Sequence, residues 1–255
     1  MQWWFLLVLS LFLIVFVRGW SSSDIPGHHV MSVMSENEVN HVLERIKLKK
    51  YHDVQAMIQN NPTVLREIRN VLGEDYVFQD YMLSLEKSAI STCHRDENGQ
   101  MFNDSLKHPV YTVLFYFEPM EACLDVIDGS HKTRNFFNFK GVRSISCTPG
   151  QAILFNADLI HSGSINARDN NRRIQMKLIH KEDVGKVPEF DGYHKVADAS
   201  KTNARWYTTF VRDVSCTLTG VSDVTENGRR VPKWIQNAYK TVAYGGEDKY
   251  TLTDF

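Results

Sequence analysis

Four residues have the types and spacing of a mononuclear metal site with an anion-binding neighbour. His94 and Asp96 are two positions apart, His161 follows 67 positions after His94, and Arg172 follows eleven positions after His161. Residues i and i+2 of an extended strand point to one face, so His94 and Asp96 can reach the same ion. Two imidazoles and one carboxylate form the facial triad of non-haem Fe(II) oxygenases, which leaves positions open for a co-substrate and O₂. The sequence therefore predicts His94, Asp96 and His161 as Fe(II) ligands and as the catalytic centre of an enzyme.

Arg172 begins a segment, residues 172–179, whose alternating pattern predicts a strand. On such a strand Arg172 shares a face with Ile174, Met176 and Leu178, and this apolar face is expected to be the buried one. A guanidinium at the head of a buried face needs an anionic partner, and it binds a carboxylate through two parallel hydrogen bonds. We therefore predict that Arg172, rather than Arg173, binds the distal carboxylate of 2-oxoglutarate. The alternative is that Arg172 only bridges a carboxylate of the protein.

Taken together, these motifs resemble the phytanoyl-CoA dioxygenase-like family of Fe(II)/2-oxoglutarate-dependent dioxygenases. The similarity covers residues 80–182, and the matching motifs are His94-Arg95-Asp96, Asp128-Gly129-Ser130-His131-Lys132, Pro149-Gly150-Gln151, His161-Ser162-Gly163-Ser164-Ile165-Asn166 and Arg172. Three positions depart from the family pattern. Asp128 stands in place of a proline, Gln151 replaces an acidic residue, and Ser162-Gly163 inverts the usual Gly-Ser. None of these departures removes a predicted metal ligand.

The resemblance implies both a fold and a reaction. The fold would be mostly β with flanking helices: a double-stranded β-helix, the jelly-roll or cupin-like barrel, with N-terminal helices packed outside it. Fe(II) would act with 2-oxoglutarate and O₂ as co-substrates, succinate and CO₂ would be released, and an unactivated C–H bond would be hydroxylated. The pattern does not indicate whether the substrate is a small molecule, a lipid or a protein. Two alternatives are a 2-oxoglutarate-independent enzyme on a similar barrel and a non-catalytic, membrane-tethered, metal-binding barrel.

The elements that must position the site follow from periodicity and turn chemistry. A capping box at residues 35–38 and an Asn-Pro pair at residues 61–62 each precede an apolar helical stripe, so helices are expected within residues 35–75. Runs rich in β-branched and aromatic residues at 110–117, 123–127, 152–155 and 174–179 predict strands of a barrel core, residues 76–182. Residues 183–255 are expected to form a lid or a packing segment, so that residues 35–255 make one dioxygenase domain.

Composition agrees with one globular domain and suggests a separate N-terminal segment. The chain has 255 residues, 43% hydrophobic and 23% charged, and its net charge of −1 without a basic run argues against a nucleic-acid partner. Residues 1–17 carry no charge and just reach the lower limit of about 17 residues for a spanning helix. Residues 1–20 are therefore predicted to be a membrane anchor, followed by a linker at residues 21–34 and a cytosol-facing catalytic domain. The alternative is a cleaved secretory signal.

Cys93, Cys123, Cys147 and Cys216 show neither close pairing nor a CxxC motif. This spacing indicates neither a disulfide framework nor a zinc site, and reduced thiols are expected, with two disulfides as the alternative. On an extended strand Cys93 would point away from the metal that its neighbour His94 faces.

Overall fold

The computed structural model describes residues 27–86, 92–133, 137–138, 141–164, 172–198, 206–220 and 251–255, with isolated positions at 232, 234, 238 and 241. Its helices are α1 (Glu36–Lys47), α2 (Tyr51–Gln59), α3 (Pro62–Leu72) and α4 (Trp206–Thr217). Its strands are β1 (His28–Ser32), β2 (Tyr76–Leu85), β3 (Tyr111–Tyr116), β4 (Met120–Val126), β5 (Arg143–Cys147), β6 (Gln151–Asn156), β7 (His161–Gly163), β8 (Arg173–His180), β9 (Tyr193–Asp198) and β10 (Thr251–Asp254). Asn166, part of the family pattern, lies outside these ranges.

The N-terminal helices begin where the sequence predicts. The Ser35 hydroxyl accepts the backbone N–H of Glu38, and the Glu38 carboxylate accepts the backbone N–H of Ser35, which completes the capping box of α1. The Asn61 side chain accepts two backbone N–H groups at the start of α3, with Pro62 in its first turn, and α3 ends at Gly73 with φ 87°. A short helix, α2, lies between them. These local signals are confirmed.

The strands form two sheets. The larger has seven strands in the order β1-β6-β3-β8-β2-β9-β10, and the smaller has three in the order β5-β4-β7. All neighbouring strands are antiparallel except β2 and β9, which are parallel. The predicted double-stranded β-helix with helices outside it is confirmed. β9 and β10, from the segment expected to be a lid or packing element, extend the edge of the larger sheet. The domain boundaries themselves stay a prediction.

The central strands of the larger sheet, β3, β6 and β8, are buried on both faces, and this determines which residues can reach the barrel interior. One face packs against α1, α2 and α3 through side chains that include Val113, Phe115, Leu154, Ile174 and Met176. The other face packs against the smaller sheet through side chains that include Leu114, Tyr116, Ile153, Phe155, Leu124 and Ile145. Because side chains alternate along a strand, parity on β3 and β8 decides between the helix side and the interior. On β8 the helix side takes the even-numbered residues.

Helix α4 is attached to the outer side of the smaller sheet. Asp125 lies between two β4 residues that face the interior, so its own side chain points outward. There it forms a buried ion pair with Arg212 of α4. The Cys93 backbone N–H donates to Ser215 Oγ at 2.8 Å, and Cys216 forms a disulfide with Cys93.

The disulfide corrects the expectation of reduced thiols, which is wrong for Cys93 and Cys216. These residues are separated by 123 positions, and the fold brings their Cα atoms to 4.9 Å. The pairing depends on the docking of α4, which no local spacing encodes. Cys123 and Cys147 are free and buried.

The prediction of a membrane-anchored protein with a cytosol-facing domain is also wrong by this structure. In the ranges given above, no helix is both long enough and apolar enough to cross a bilayer. The longest helices there, α1 and α4, have 12 residues each, whereas a spanning helix needs about 20. The apolar segment that suggested the anchor, residues 1–20, and the linker as far as residue 26 lie outside the described residues.

Candidate active site

A short extended segment, residues 92–96, pairs with the start of β7 and brings the predicted metal ligands together. The backbone N–H groups of His94 and His161 each donate to the other residue's carbonyl at 2.9 Å, and the Asp96 N–H donates to the Ala157 carbonyl at 2.8 Å. The two imidazole centroids are then 4.6 Å apart. One ligand atom from each of His94, Asp96 and His161 lies within 4.8 Å of the other two, and Asp96 Oδ1 is 3.7 Å from His161 Nε2.

Hydrogen bonds to the backbone set the tautomer of both histidines. His94 Nδ1 lies 2.8 Å from the Thr92 carbonyl oxygen, and His161 Nδ1 lies 2.9 Å from the Leu159 carbonyl oxygen. A carbonyl oxygen can only accept, so each Nδ1 carries the hydrogen. In the neutral ring, Nε2 is then the nitrogen with the lone pair that can bind a metal. Fixing a histidine by a hydrogen bond to its other ring nitrogen is the usual arrangement around a bound metal.

The electrostatics of the cluster suit a divalent cation. Burial, reinforced by the neighbouring His94, lowers the pKa of His161 to about 4, so this imidazole is neutral at neutral pH. Burial alone would raise the pKa of Asp96, but the Lys177 ammonium, the two imidazoles and the Thr112 hydroxyl outweigh it and hold the pKa well below its usual range. Metal ligands must be deprotonated to bind. The cluster therefore offers two imidazoles, of which His161 is held neutral, and one ionised carboxylate, a donor set that fits Fe(II).

The residue between the two ligands, Arg95, supports the segment from behind. Its side chain is buried, and its guanidinium donates to the carbonyls of Ser130 and Thr133 at 2.8 Å and to that of Asp158. The Ser130 hydroxyl accepts the Ile160 N–H at 2.8 Å. The turn that follows β4 thus braces both the His94 segment and the residue just before His161.

Arg172 lies on the helix side of the larger sheet. Its Nε is 3.1 Å from Glu86 Oε2, and its side chain is 37% exposed. Glu86 Oε1 also accepts the phenol of Tyr51 on α2 at 3.4 Å. This contact corresponds to the alternative in which the arginine bridges a carboxylate of the protein. Arg172 points to the helix side because it lies two positions before Ile174 and so shares its face of the sheet. A role for Arg172 in binding 2-oxoglutarate stays a prediction.

The opposite face of β8 carries residues that the sequence argument did not select. Arg173 and Lys177 are both buried, and Lys177 Nζ lies 3.0 Å from Asp96 Oδ2. Arg173 acts electrostatically on the phenol of Tyr116, a barrel-interior residue. The sequence does contain a signal for this face: polar residues alternate with apolar ones along the first five residues of β8. Lys177, which pairs in register with Thr112 of β3, is the clearest case.

The fold and the triad define a non-haem iron oxygenase of the double-stranded β-helix class. A family model described as Phytanoyl-CoA dioxygenase (PhyH) matches residues 22–174, and the chain belongs to this family. Membership and the triad confirm the predicted Fe(II) and 2-oxoglutarate cofactors, and the protein is an Fe(II)/2-oxoglutarate-dependent oxygenase.

Individual relatives are distant. No curated protein matches the chain. HygX from Streptomyces hygroscopicus with iron bound is 14% identical with a TM-score of 0.49, covering 62% of this chain and 83% of that chain. HygX with nickel and 2-oxoglutarate bound is 15% identical, with the same TM-score and coverage. SnoN, a non-heme alpha ketoglutarate dependent epimerase from nogalamycin biosynthesis, is 12% identical with a TM-score of 0.49, covering 68% of this chain and 84% of that chain.

Proposed function

We propose that this protein is a hydroxylase in which His94, Asp96 and His161 hold the Fe(II). The observation that carries the proposal is the convergence of their three ligand atoms within 4.8 Å. Bound iron would supply the oxidative chemistry: 2-oxoglutarate and O₂ are consumed, one oxygen atom enters succinate, CO₂ leaves, and the other oxygen atom enters a C–H bond of the substrate.

The protein's own side chains would bind the metal and orient the co-substrates. The two imidazoles and Asp96 Oδ1 would hold the metal, and three protein ligands would leave room on an octahedral ion for a bidentate keto acid and O₂. His161 and Asp96 are buried between the sheets, with side chains 8% and 10% exposed, so the barrel shields the reacting atoms from bulk water.

A cationic side chain of β8 would bind the far carboxylate of 2-oxoglutarate. Sequence parity favours Arg172, but Arg173 is buried and shares the site-facing side with Lys177. Arg173 and Lys177 are four positions apart on the strand, about 13 Å, a distance that a five-carbon diacid and a long arginine side chain can bridge. Tyr116 pairs with Arg173 across the two strands, and its hydroxyl is buried with no hydrogen-bond partner among the described residues. A buried hydroxyl of this kind could donate a hydrogen bond to a bound carboxylate. We therefore place Arg173 and Tyr116 ahead of Arg172 for this role.

The experiment that tests the function is succinate release by the purified full chain. With Fe(II), 2-oxoglutarate and O₂ but no added substrate, slow uncoupled turnover is expected from the wild type and none from His94→Ala. His108→Ala is the matched control, because His108 stacks on His180 away from the cluster, with ring centroids 3.6 Å apart. Absence of metal-dependent succinate from the wild type, or equal rates in His94→Ala, would contradict the proposal.

A further inference from the structure

Lys177 is a buried lysine whose ammonium group has every donor in use. Its side chain is 3% exposed. Nζ lies 3.0 Å from Asp96 Oδ2, 3.1 Å from Asn98 Oδ1 and 3.2 Å from Thr112 Oγ1, three acceptors for its three N–H donors. The rings of Tyr81 and Phe190 lie near it, with centroids 5.3 and 5.1 Å from Nζ. The ammonium is therefore fixed in place by the protein, and no donor is left over for a co-substrate.

The same contacts restrict Asp96. Its Oδ2 accepts from Lys177 Nζ and from the Thr112 hydroxyl, and the Thr112 oxygen also accepts from Lys177, which closes a ring of three hydrogen bonds. β3 and β8 set Thr112 opposite Lys177 in register, so the ring is built into the sheet. Oδ1 is the oxygen that faces His161 Nε2, at 3.7 Å. The carboxylate cannot turn without breaking both bonds to Oδ2.

We infer that Lys177 is a positioning residue that holds Asp96 as a single-oxygen metal ligand and compensates its charge. The inference rests on the proposed function, because it requires a metal at the triad. Without the ammonium, Asp96 would be a buried carboxylate with one remaining donor, free to rotate and to bind the metal through both oxygens. That second bond would take a coordination position that the keto acid needs.

The test uses Co(II), which is stable in air and whose visible absorption reports its coordination. Lys177→Met removes the charge and the donors at nearly constant length. Lys195→Met is the matched control, because Lys195 pairs with Asp254 on the outer edge of the sheet, away from the triad. Lys177→Met is expected to bind Co(II) ten- to a hundredfold more weakly, the usual effect of losing such a partner, with an altered Co(II) spectrum. Lys195→Met should match the wild type in both readouts.

The outcomes separate this inference from the proposed function. Binding by Lys177→Met within twofold of the wild type, with an unchanged spectrum, would overturn the positioning role while the metal site stands. A wild type that binds no Co(II) would overturn both. Where Lys177→Met does not fold, Lys177→Gln keeps an amide group with two N–H donors but no charge, and it is expected to bind Co(II) with intermediate affinity. Wild-type affinity in Lys177→Gln would overturn the inference equally.

Discussion

Removing the disulfide between Cys93 and Cys216 is expected to destabilise the protein strongly and to weaken its metal site. The bridge closes a loop of 123 residues. A cross-link of that span lowers the free energy of folding by roughly 5 kcal/mol, because it restricts the unfolded chain. Single domains are stable by only about 5–15 kcal/mol, so the loss would be a large share of the total.

The assay is chemical unfolding followed by circular dichroism, with and without a reductant. The double variant Cys93→Ala/Cys216→Ala is compared with Cys123→Ala, which loses a buried thiol that forms no bridge. The loss of stability in the double variant, less twice the loss in Cys123→Ala, estimates the contribution of the cross-link. Reductant should shift the midpoint of the wild type towards that of the double variant and leave the double variant unchanged.

The metal site should respond in the same samples. Cys93 precedes His94 directly, and its backbone N–H is bound by Ser215 of α4. Release of α4 should therefore loosen the segment that presents His94, and Co(II) affinity should fall in the double variant but not in Cys123→Ala. The reasoning is refuted if the double variant is no less stable than Cys123→Ala, or if reductant leaves the wild type unaffected.

Three further predictions concern single side chains. In succinate-release kinetics, Arg173→Met should raise the KM for 2-oxoglutarate by roughly tenfold or more, because a charge-assisted hydrogen bond is lost. Arg172→Met should change this KM little, and the reverse order of the two variants would favour Arg172 as the binding residue. Arg212→Met leaves Asp125 buried without its cation and should lower the free energy of unfolding by about 3–5 kcal/mol. Arg143→Met, which breaks an exposed pair with Asp128, should lower it by about 1 kcal/mol or less. Burial lowers the pKa of His131 to about 4, so the folded state binds fewer protons than the unfolded state between about pH 6.5 and 4. The His131 imidazole should therefore lower the free energy of unfolding by about 3 kcal/mol as the pH drops through that range. In His131→Leu the free energy of unfolding should fall less steeply with pH, and the same steepness in variant and wild type would contradict the prediction.

Features encoded within a few residues could be predicted from the sequence. The Ser35 capping box and the Asn61-Pro62 start are local hydrogen-bond patterns, and both helices begin where these patterns place them. The two-residue spacing of His94 and Asp96 likewise predicts a shared face, and His161 joins them through the backbone bridge. The arguments for the two helix starts and for the His94-Asp96 pair need only the geometry of one turn or one strand, whereas His161 comes from another element, 67 positions later.

Features that depend on what packs against a strand could not be predicted. Apolar periodicity shows that Ile174 and Met176 are buried, but not whether helices or the barrel interior bury them. Helices cover that face, so Arg172 turns towards Glu86 and Lys177 reaches Asp96. The bridge to Cys216 has the same origin, because it exists only once α4 docks on the smaller sheet.

The central claim, that the triad binds Fe(II) and that the iron is chelated by 2-oxoglutarate, is tested most directly by anaerobic spectroscopy. Fe(II) and 2-oxoglutarate added to the full chain without O₂ should give a visible metal-to-ligand charge-transfer band that saturates at one iron per chain. His161→Ala should give no such band. Absence of the band in the wild type, or its persistence at full intensity in His161→Ala, would contradict the account.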